Sequence, residues 1–179
     1  MMWKRTHFLL IVLLLANVIL FSLTWTAFAK TTLDFSLVNI QDDQVLRSVD
    51  CRGKIIIVAF SSIHCKSCKK LIPALNMVLD RFQSSDCLVL GINIDRGVQK
   101  EEIKKYVAKH RIRFPVLLDG YDVANLHKVF ILPTVFILAP DGKIKKKSYR
   151  LYTYKELEKE LSKLGVSLKS EQRNEDIPY

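Results

Sequence analysis

The chain has 179 residues, 49% of them hydrophobic and 26% charged, with 6 glycines and 5 prolines. These values exclude collagen-like, low-complexity and wholly disordered chains, and the length suits one domain of roughly 100–150 residues with attached segments. The net charge is +10, but basic and acidic residues alternate along the chain without a nucleic-acid-binding motif, so we expect a basic surface and no nucleic-acid partner.

Residues 1–29 have the pattern of an export segment. Lys4 and Arg5 give a positively charged start, residues 8–25 carry no charge, and residues 27–29 read Ala-Phe-Ala, a signal peptidase pattern. The uncharged stretch is at the lower limit for crossing a bilayer of about 30 Å. Two alternatives follow, a cleaved signal peptide or an anchor that tethers the protein through residues 8–25. Both place the remainder in the periplasm or at the outer face of the cytoplasmic membrane, because the positive end stays inside.

Residues 30–165 form the predicted domain, in which strand-like and helix-like apolar periods alternate. Extended segments are predicted at residues 33–38, 45–49, 55–60, 88–94, 116–118, 135–139 and 144–149. Helices are predicted after Cys65, from about Gln99, and from Thr153 to Gly165. This order predicts an α/β fold with a mixed central sheet flanked by helices. The tail, residues 166–179, is polar and aperiodic, and we expect it to be mobile.

The candidate chemical site is a pair of cysteines, Cys65 and Cys68, between the buried strand and the first long helix. Backbone N–H groups at a helix start carry partial positive charge and stabilise a thiolate, and Lys66 adds a positive charge there. The pattern therefore predicts that Cys65 is the attacking thiol. Cys68, one turn further along, is the predicted resolving thiol.

A Cys-x-x-Cys pair also has three other interpretations. A structural disulfide would not need a strand-to-helix junction. A zinc half-site needs two further ligands, and Cys51 and Cys87 each stand alone in the sequence. Haem attachment requires a histidine after the second cysteine, where this chain has Lys69. A redox-active pair is the interpretation that we favour.

Four segments together resemble the thioredoxin superfamily and its exported TlpA/ResA-like branch. They are residues 60–73 with the Cys-x-x-Cys, residues 50–54 (Asp-Cys-Arg-Gly-Lys), residues 132–137 (Leu-Pro-Thr-Val-Phe-Ile) and residues 140–143 (Pro-Asp-Gly-Lys). The resemblance implies a thioredoxin-like fold and a thiol–disulfide oxidoreductase that acts on protein dithiols and disulfides, with no organic cofactor or metal. It favours a reductase, of a kind often used in cytochrome c maturation. Reduction outside the cytoplasm would need an electron donor, for which we expect a membrane thiol transporter.

The resemblance also implies a substrate groove beside the cysteines. Pro133 matches the family's cis proline, which faces the first cysteine, and with Leu132 it would pair with an extended substrate segment. The chain departs from the family at Ala59, where many members carry a buried acid or amide that serves the second cysteine. It departs again at His64, where tryptophan is common, and it lacks the usual proline between the cysteines.

Two polar residues near the pair have open roles. Asp95 either replaces the missing acid as a proton relay for Cys68 or is a turn or helix-start residue before Gly97. His64 either tunes the Cys65 thiolate or simply lies at the surface.

Cys51 and Cys87 form a second possible pair. If the strands that follow them are parallel neighbours, both cysteines lie at the end of the sheet opposite Cys65. The alternatives are a structural disulfide, which needs Cα atoms about 4.4–6.8 Å apart, or two buried and unreactive thiols.

The main competing function is copper handling on the same fold. Soft thiolates suit Cu(I), and His64 or His127 would supply a further ligand. Related copper carriers, however, usually space their cysteines by three residues rather than two. We therefore expect thiol–disulfide exchange rather than metal delivery.

Overall fold

The computed structural model describes residues 32–82 and 86–166. The predicted export segment and residues 167–179 of the predicted tail lie outside these ranges. Val166, the first residue of that tail, is only 7% exposed and packs in the main core cluster. Within the described ranges, no helix combines the length and apolar character needed to cross a membrane.

The helices and strands of the described residues follow the predicted order, with two additions. They are β1 (Ser36–Asn39), β2 (Val45–Arg47), a 3-10 helix (Ser48–Cys51), β3 (Ile55–Ser61), α1 (Lys66–Arg81), β4 (Cys87–Asn93), α2 (Lys100–Lys109), β5 (Val116–Leu118), α3 (Asp122–Leu126), β6 (Thr134–Leu138), β7 (Ile144–Ser148) and α4 (Tyr154–Lys163). Neither the short helix α3 nor the 3-10 helix was predicted, and the 3-10 helix includes residues 48 and 49 of the predicted extended segment 45–49.

The strands form one mixed sheet in the order β2-β1-β5-β4-β3-β6-β7. The three central strands β5, β4 and β3 are parallel, and the strands on both sides of them run antiparallel to their neighbours. Parallel strands need crossover connections, which are α1 between β3 and β4 and α2 between β4 and β5. The predicted α/β fold with a mixed sheet and flanking helices is confirmed.

The continuous apolar run of β3 is explained by burial of the sheet on both faces. Alternate side chains of a strand point to opposite faces, and those of β3 divide between two separate core clusters. One cluster holds Ile55, Ile57 and Ala59 together with buried residues of α1, α2 and α4. The other holds Ile56, Val58 and Phe60 together with Leu33, Phe35 and buried residues of α3. We call these faces the α1 face and the α3 face.

Two strand ends position the candidate site. The chain leaves the carboxyl end of β3 at Ser61 and enters α1 at Lys66, so Cys65 lies directly beyond that end. β6 runs antiparallel to β3 with Thr134 opposite Phe60. The segment before Thr134, including Pro133, therefore lies at the same end of the sheet as the two cysteines.

Candidate active site

Cys65 and Cys68 are joined by a disulfide at the start of α1. Their Cα atoms lie 5.3 Å apart. Cys65 is the N-cap residue of the helix, and its sulfur accepts a hydrogen bond from the backbone N–H of Cys68 across 3.0 Å. The structure thus directs a helix-terminal N–H group at the Cys65 sulfur, an arrangement that stabilises negative charge there.

The surroundings of the pair are positively charged and differ between the two cysteines. Cys65 is half-buried, whereas Cys68 is only 4% exposed. The first turn of α1 carries no acidic residue, and its lysines Lys66, Lys69 and Lys70 are exposed. A thiolate on Cys65 is therefore both accessible and favoured by charge, which are the properties of an attacking sulfur.

The loop between β3 and Cys65 is anchored by Asp95, which lies just beyond β4. One carboxylate oxygen of Asp95 accepts hydrogen bonds from the backbone N–H of Ile63 and from the side-chain amide of Asn93, each across 2.8 Å. Asp95 directly precedes the bend at Arg96 and Gly97, as predicted for a turn residue, and α2 begins only at Lys100. Its anchoring of the loop before the cysteines was not predicted, and its role as a proton relay for Cys68 stays a prediction.

A groove runs along Leu132 and reaches Ser62, in the loop before Cys65. Its volume is about 430 Å³, and its walls are Ser62, Ile94, Asp95, Arg96, Tyr121 and Leu132. The Leu132–Pro133 peptide bond is cis, and Pro133 is buried. The guanidinium of Arg96 lies 4.9 Å from the ring centre of Tyr121 and donates to the carbonyl of Gly120 across 3.0 Å, which holds a positive charge at this wall.

The two histidines considered as ligands lie in different surroundings. His64 is exposed, and its backbone N–H donates to the hydroxyl of Ser62 across 3.1 Å. His127 is buried with its ring edge-on to Phe136, a residue of the α3 face, while Cys68 belongs to the helix on the opposite face. Among the described residues, no group of three or more His, Cys, Asp or Glu side chains is placed to hold a metal ion.

A small cavity whose polar lining was not predicted lies behind Cys68. Its volume is about 30 Å³, and Cys68, Asn93, Tyr106 and Pro133 contribute to an otherwise mostly apolar wall. Asn93 is 3% exposed at the end of β4. Two signals were available, an amide within a run of buried strand residues and a tyrosine between Ile103 and Val107 on the inward side of α2.

Comparison with known proteins identifies the family. The family model described as AhpC/TSA matches residues 29–147. The chain belongs to the AhpC/TSA family. This match covers the cysteine pair, the loop with Asp95 and the cis proline, so the whole candidate site lies within the family domain. The predicted thioredoxin-like relationship is confirmed.

Two curated relatives of this chain are named for the same activity. The thiol-disulfide oxidoreductase ResA of Geobacillus thermodenitrificans (strain NG80-2) is 31% identical over 124 residues, which are 69% of this chain and 70% of the relative. ResA of Geobacillus kaustophilus (strain HTA426) is 27% identical over 142 residues, 79% of this chain and 80% of the relative. This AhpC/TSA-family chain is likewise a thiol–disulfide oxidoreductase.

A solved structure supports the thioredoxin-like fold. The pneumococcal exposed lipoprotein thioredoxin Etrx1 of Streptococcus pneumoniae superimposes with a TM-score of 0.65 at 22% identity. The superposition covers 73% of this chain and 99% of that protein. At this level of identity, the likeness concerns the fold.

The other two cysteines of this AhpC/TSA-family protein are not paired. Cys51 and Cys87 are both free and buried, and they lie on opposite faces of the sheet. Cys87 packs on the α1 face beside Val89, and Cys51 packs on the α3 face, where its thiol contacts the carbonyl of Arg47 at 3.7 Å. The disulfide considered between them is therefore absent, because the sheet separates the two sulfurs. The alternative of two buried thiols matches the structure.

Proposed function

We propose that this protein is exported and reduces disulfides in protein substrates outside the cytoplasm. In this proposal Cys65 attacks a substrate disulfide and forms a mixed disulfide. Cys68 then attacks the Cys65 sulfur and releases the reduced substrate. The observation that carries the proposal is the asymmetry of the pair: the accessible sulfur receives a helix N–H group, and its partner is 4% exposed.

The groove beside Leu132 is the proposed binding site for an extended substrate segment. It opens at the same end of the sheet as Cys65, and Ser62 of the loop before Cys65 forms part of its wall. The cis-linked residues Leu132 and Pro133 connect this groove with the cavity behind Cys68, since Leu132 lines the groove and Pro133 lines the cavity. A substrate backbone lying along residues 132–133 would bring its sulfur towards Cys65.

The proposed location and partners rest on the sequence of residues 1–29 and on the family. The export pattern would carry the domain across the membrane, and the streptococcal relative is named as an exposed lipoprotein. Continued reduction there requires a thiol donor in the membrane. The resemblance to the TlpA/ResA-like branch supports apocytochrome c thiols as one substrate class. A C-terminal alkaline phosphatase fusion to the full chain tests export, because that enzyme is active only outside the cytoplasm.

Reduction of a disulfide-containing protein such as insulin tests the enzymatic proposal, with dithiothreitol as electron donor. We expect Cys65→Ser to reduce the rate to that of dithiothreitol alone. We expect Cys68→Ser to accumulate a mixed disulfide that is visible on a non-reducing gel. Cys87→Ala is the matched control, because Cys87 lies at the start of β4, away from the carboxyl end of β3. Full activity of Cys65→Ser would overturn the proposal.

The direction of electron flow has its own test. Positive charge near Cys65 stabilises the reduced form and makes the disulfide more oxidising, whereas the family resemblance favours a reductant. The equilibrium potential against glutathione separates the two outcomes. A potential near that of thioredoxin, about −270 mV, would support the reductase proposal. A potential near about −120 mV would contradict it and would indicate a protein that oxidises substrate thiols to disulfides.

A further inference from the structure

The cavity behind Cys68 has the size and the polar groups of a water site. Its volume of about 30 Å³ exceeds the roughly 10–15 Å³ that one water molecule requires. Four polar residues contribute to its wall, namely Ser61, Cys68, Asn93 and Tyr106. Buried water molecules in proteins typically make about two to four hydrogen bonds to otherwise unsatisfied polar groups. The cavity meets both conditions.

The hydroxyl of Tyr106 is the strongest indication. It is buried and has no hydrogen-bond partner among the described residues. An unsatisfied buried hydroxyl destabilises the folded state, so a partner that the protein itself does not provide is strongly favoured. Asn93 has spare capacity as well, because its amide makes one donor and one acceptor contact, both with Asp95, and an amide has two hydrogens and two lone pairs.

Disulfide exchange requires that the buried thiol of Cys68 lose its proton. In the reduced protein Cys68 is a thiol in a nearly buried setting, and it attacks only as a thiolate. Burial disfavours the charged form, and the neighbouring residue of β3, Ala59, has no titratable group although it lines the same cavity. The proton on Cys68 therefore needs a carrier that reaches the sulfur from inside the protein.

We propose that the cavity binds a water molecule held by the Tyr106 hydroxyl and the Asn93 amide, and that this water carries the proton of Cys68 during disulfide exchange. Tyr106 is thus a positioning residue that acts through the water. The inference rests on the proposed function only in that Cys68 is the resolving thiol.

The proposed step balances as follows. The Cys65 thiolate attacks the substrate disulfide, one substrate sulfur leaves as a thiolate, and a mixed disulfide forms. The Cys68 thiol then gives its proton to the water, which passes a proton on to solvent, and the sulfur's electron pair forms the bond to the Cys65 sulfur as the bond to the substrate breaks. The second substrate sulfur leaves as a thiolate and takes up a proton from solvent, so the protein loses two electrons and one proton in total.

The charged groups around Tyr106 come from three elements. The ammonium of Lys69 on α1 lies 5.9 Å from the ring centre, and the ring of His110, at the end of α2, lies 4.4 Å away. Burial and the nearby carboxylate of Asp95, in the loop after β4, raise the pKa of Tyr106. Burial and the two neighbouring cations Lys69 and Lys109 lower the pKa of His110. The Tyr106 hydroxyl therefore remains protonated at neutral pH and can donate to the water.

Ellman's disulfide separates the two chemical steps in the full-length reduced protein. Attack by Cys65 releases one coloured thiolate, and attack by Cys68 on the mixed disulfide releases the second. We expect Tyr106→Phe to leave the first phase unchanged and to slow the second by about tenfold or more, since positioned proton transfer contributes roughly 10²–10⁴-fold. The pH dependence of the second phase should change in the variant, while the urea midpoint stays the same or rises.

Tyr152→Phe is the matched control. Its hydroxyl is likewise buried and without a hydrogen-bond partner among the described residues, but Tyr152 does not line the cavity. We expect both phases to match the unmodified protein. Equal slowing of both phases in Tyr106→Phe, with a lower urea midpoint, would identify a structural role and overturn the inference.

A crystal structure of the reduced protein provides the second measurement. We expect a water within hydrogen-bond distance of the Tyr106 hydroxyl and the Cys68 sulfur, and a dry cavity would overturn the inference. The proton-carrier inference and the proposed function are contradicted by different results. An unchanged second phase in Tyr106→Phe removes only the proton carrier, whereas an unchanged first phase in Cys65→Ser removes the proposed order of attack.

Discussion

The backbone N–H of Cys68 donates a hydrogen bond to the sulfur of Cys65 across 3.0 Å. The same two residues therefore form the disulfide and the N-cap contact of α1. A reduced Cys65 remains in the position where the helix offers unpaired N–H groups. Reactivity at this sulfur is thus coupled to the charge around the first turn of α1.

Charge reversal at Lys66 tests this coupling. Lys66 is the first residue of α1 and is exposed. We expect Lys66→Glu to slow the reaction of reduced Cys65 with iodoacetamide at pH 7 by about two- to fivefold, since a charge at a helix terminus contributes about 0.3–1 kcal/mol. The effect should shrink in 1 M salt because exposed charges are screened.

The control for this experiment is the same charge reversal on another helix. Lys155 is exposed in the first turn of α4. Lys155→Glu should leave the iodoacetamide rate unchanged. An equal loss in both variants would indicate that only the net charge of the protein matters.

The two unpaired cysteines should be inert in the folded protein. Burial, assisted by Asp86, raises the pKa of Cys87 to about 12, and burial also raises the pKa of Cys51. After reduction, iodoacetamide at pH 8 should label Cys65 first and should label Cys51 and Cys87 only in urea. Peptide mapping by mass spectrometry measures this order. A peptide linking Cys51 to Cys87 in the unreduced protein would contradict their separation by the sheet.

Much of the fold could be predicted because its signals are local. The apolar run of β3, the helical spacing in α1 and the capping box of Thr153 and Glu156 each lie within one element, and all three are present. Helix α3 was missed because five residues are too short for a helical period. Its start is instead fixed by the buried Asp119, whose carboxylate accepts from the N–H groups of Val123 and Ala124.

The site was predicted less completely because part of it depends on pairing between strands. The contact of Asp95 with Ile63 exists only because β3 and β4 are parallel neighbours that end at the same edge. Cys51 and Cys87 both lie at the end of the sheet opposite Cys65, as predicted, but on different faces of it. Cys87 pairs with Ile55 in register and shares its face, whereas Cys51 reaches the other face through the 3-10 helix.

Removal of the Asp95 carboxylate should loosen the loop before Cys65. Asp95→Ala deletes the acceptor for Ile63 and Asn93. Because each bond involves a charged acceptor, we expect a loss of about 1–3 kcal/mol in the free energy of unfolding, together with slower reduction of insulin. Urea unfolding and the insulin assay measure the two effects.

Asp42→Ala is the corresponding control at an exposed turn. Its carboxylate also accepts a backbone N–H, from Gln44, but in the turn between β1 and β2. We expect a smaller loss of stability and unchanged insulin reduction. Similar losses of stability and of insulin reduction in both variants would show that the Asp95 contacts do not specifically support the site.

The ion pair between β7 and α4 should make stability depend on pH. Lys146 contacts a carboxylate oxygen of Glu160 at 2.7 Å, and Lys163 lies 3.3 Å from the same oxygen. The hydrogen bond from Lys146, aided by Lys163, lowers the pKa of Glu160. A carboxylate whose folded pKa is depressed stabilises the fold above its unfolded pKa of about 4.3. This contribution disappears as the pH falls through the folded value.

Glu160→Gln should therefore lower the free energy of unfolding by about 0.2–1 kcal/mol at pH 7, the usual range for a pair near the surface. At acid pH, once the native carboxyl is protonated, the variant and the unmodified protein should have the same urea midpoint. Glu101→Gln, at an exposed position in the first turn of α2, controls for the loss of one negative charge. A deficit of Glu160→Gln that is equally large at both pH values would show that the side chain stabilises α4 by packing rather than by its charge.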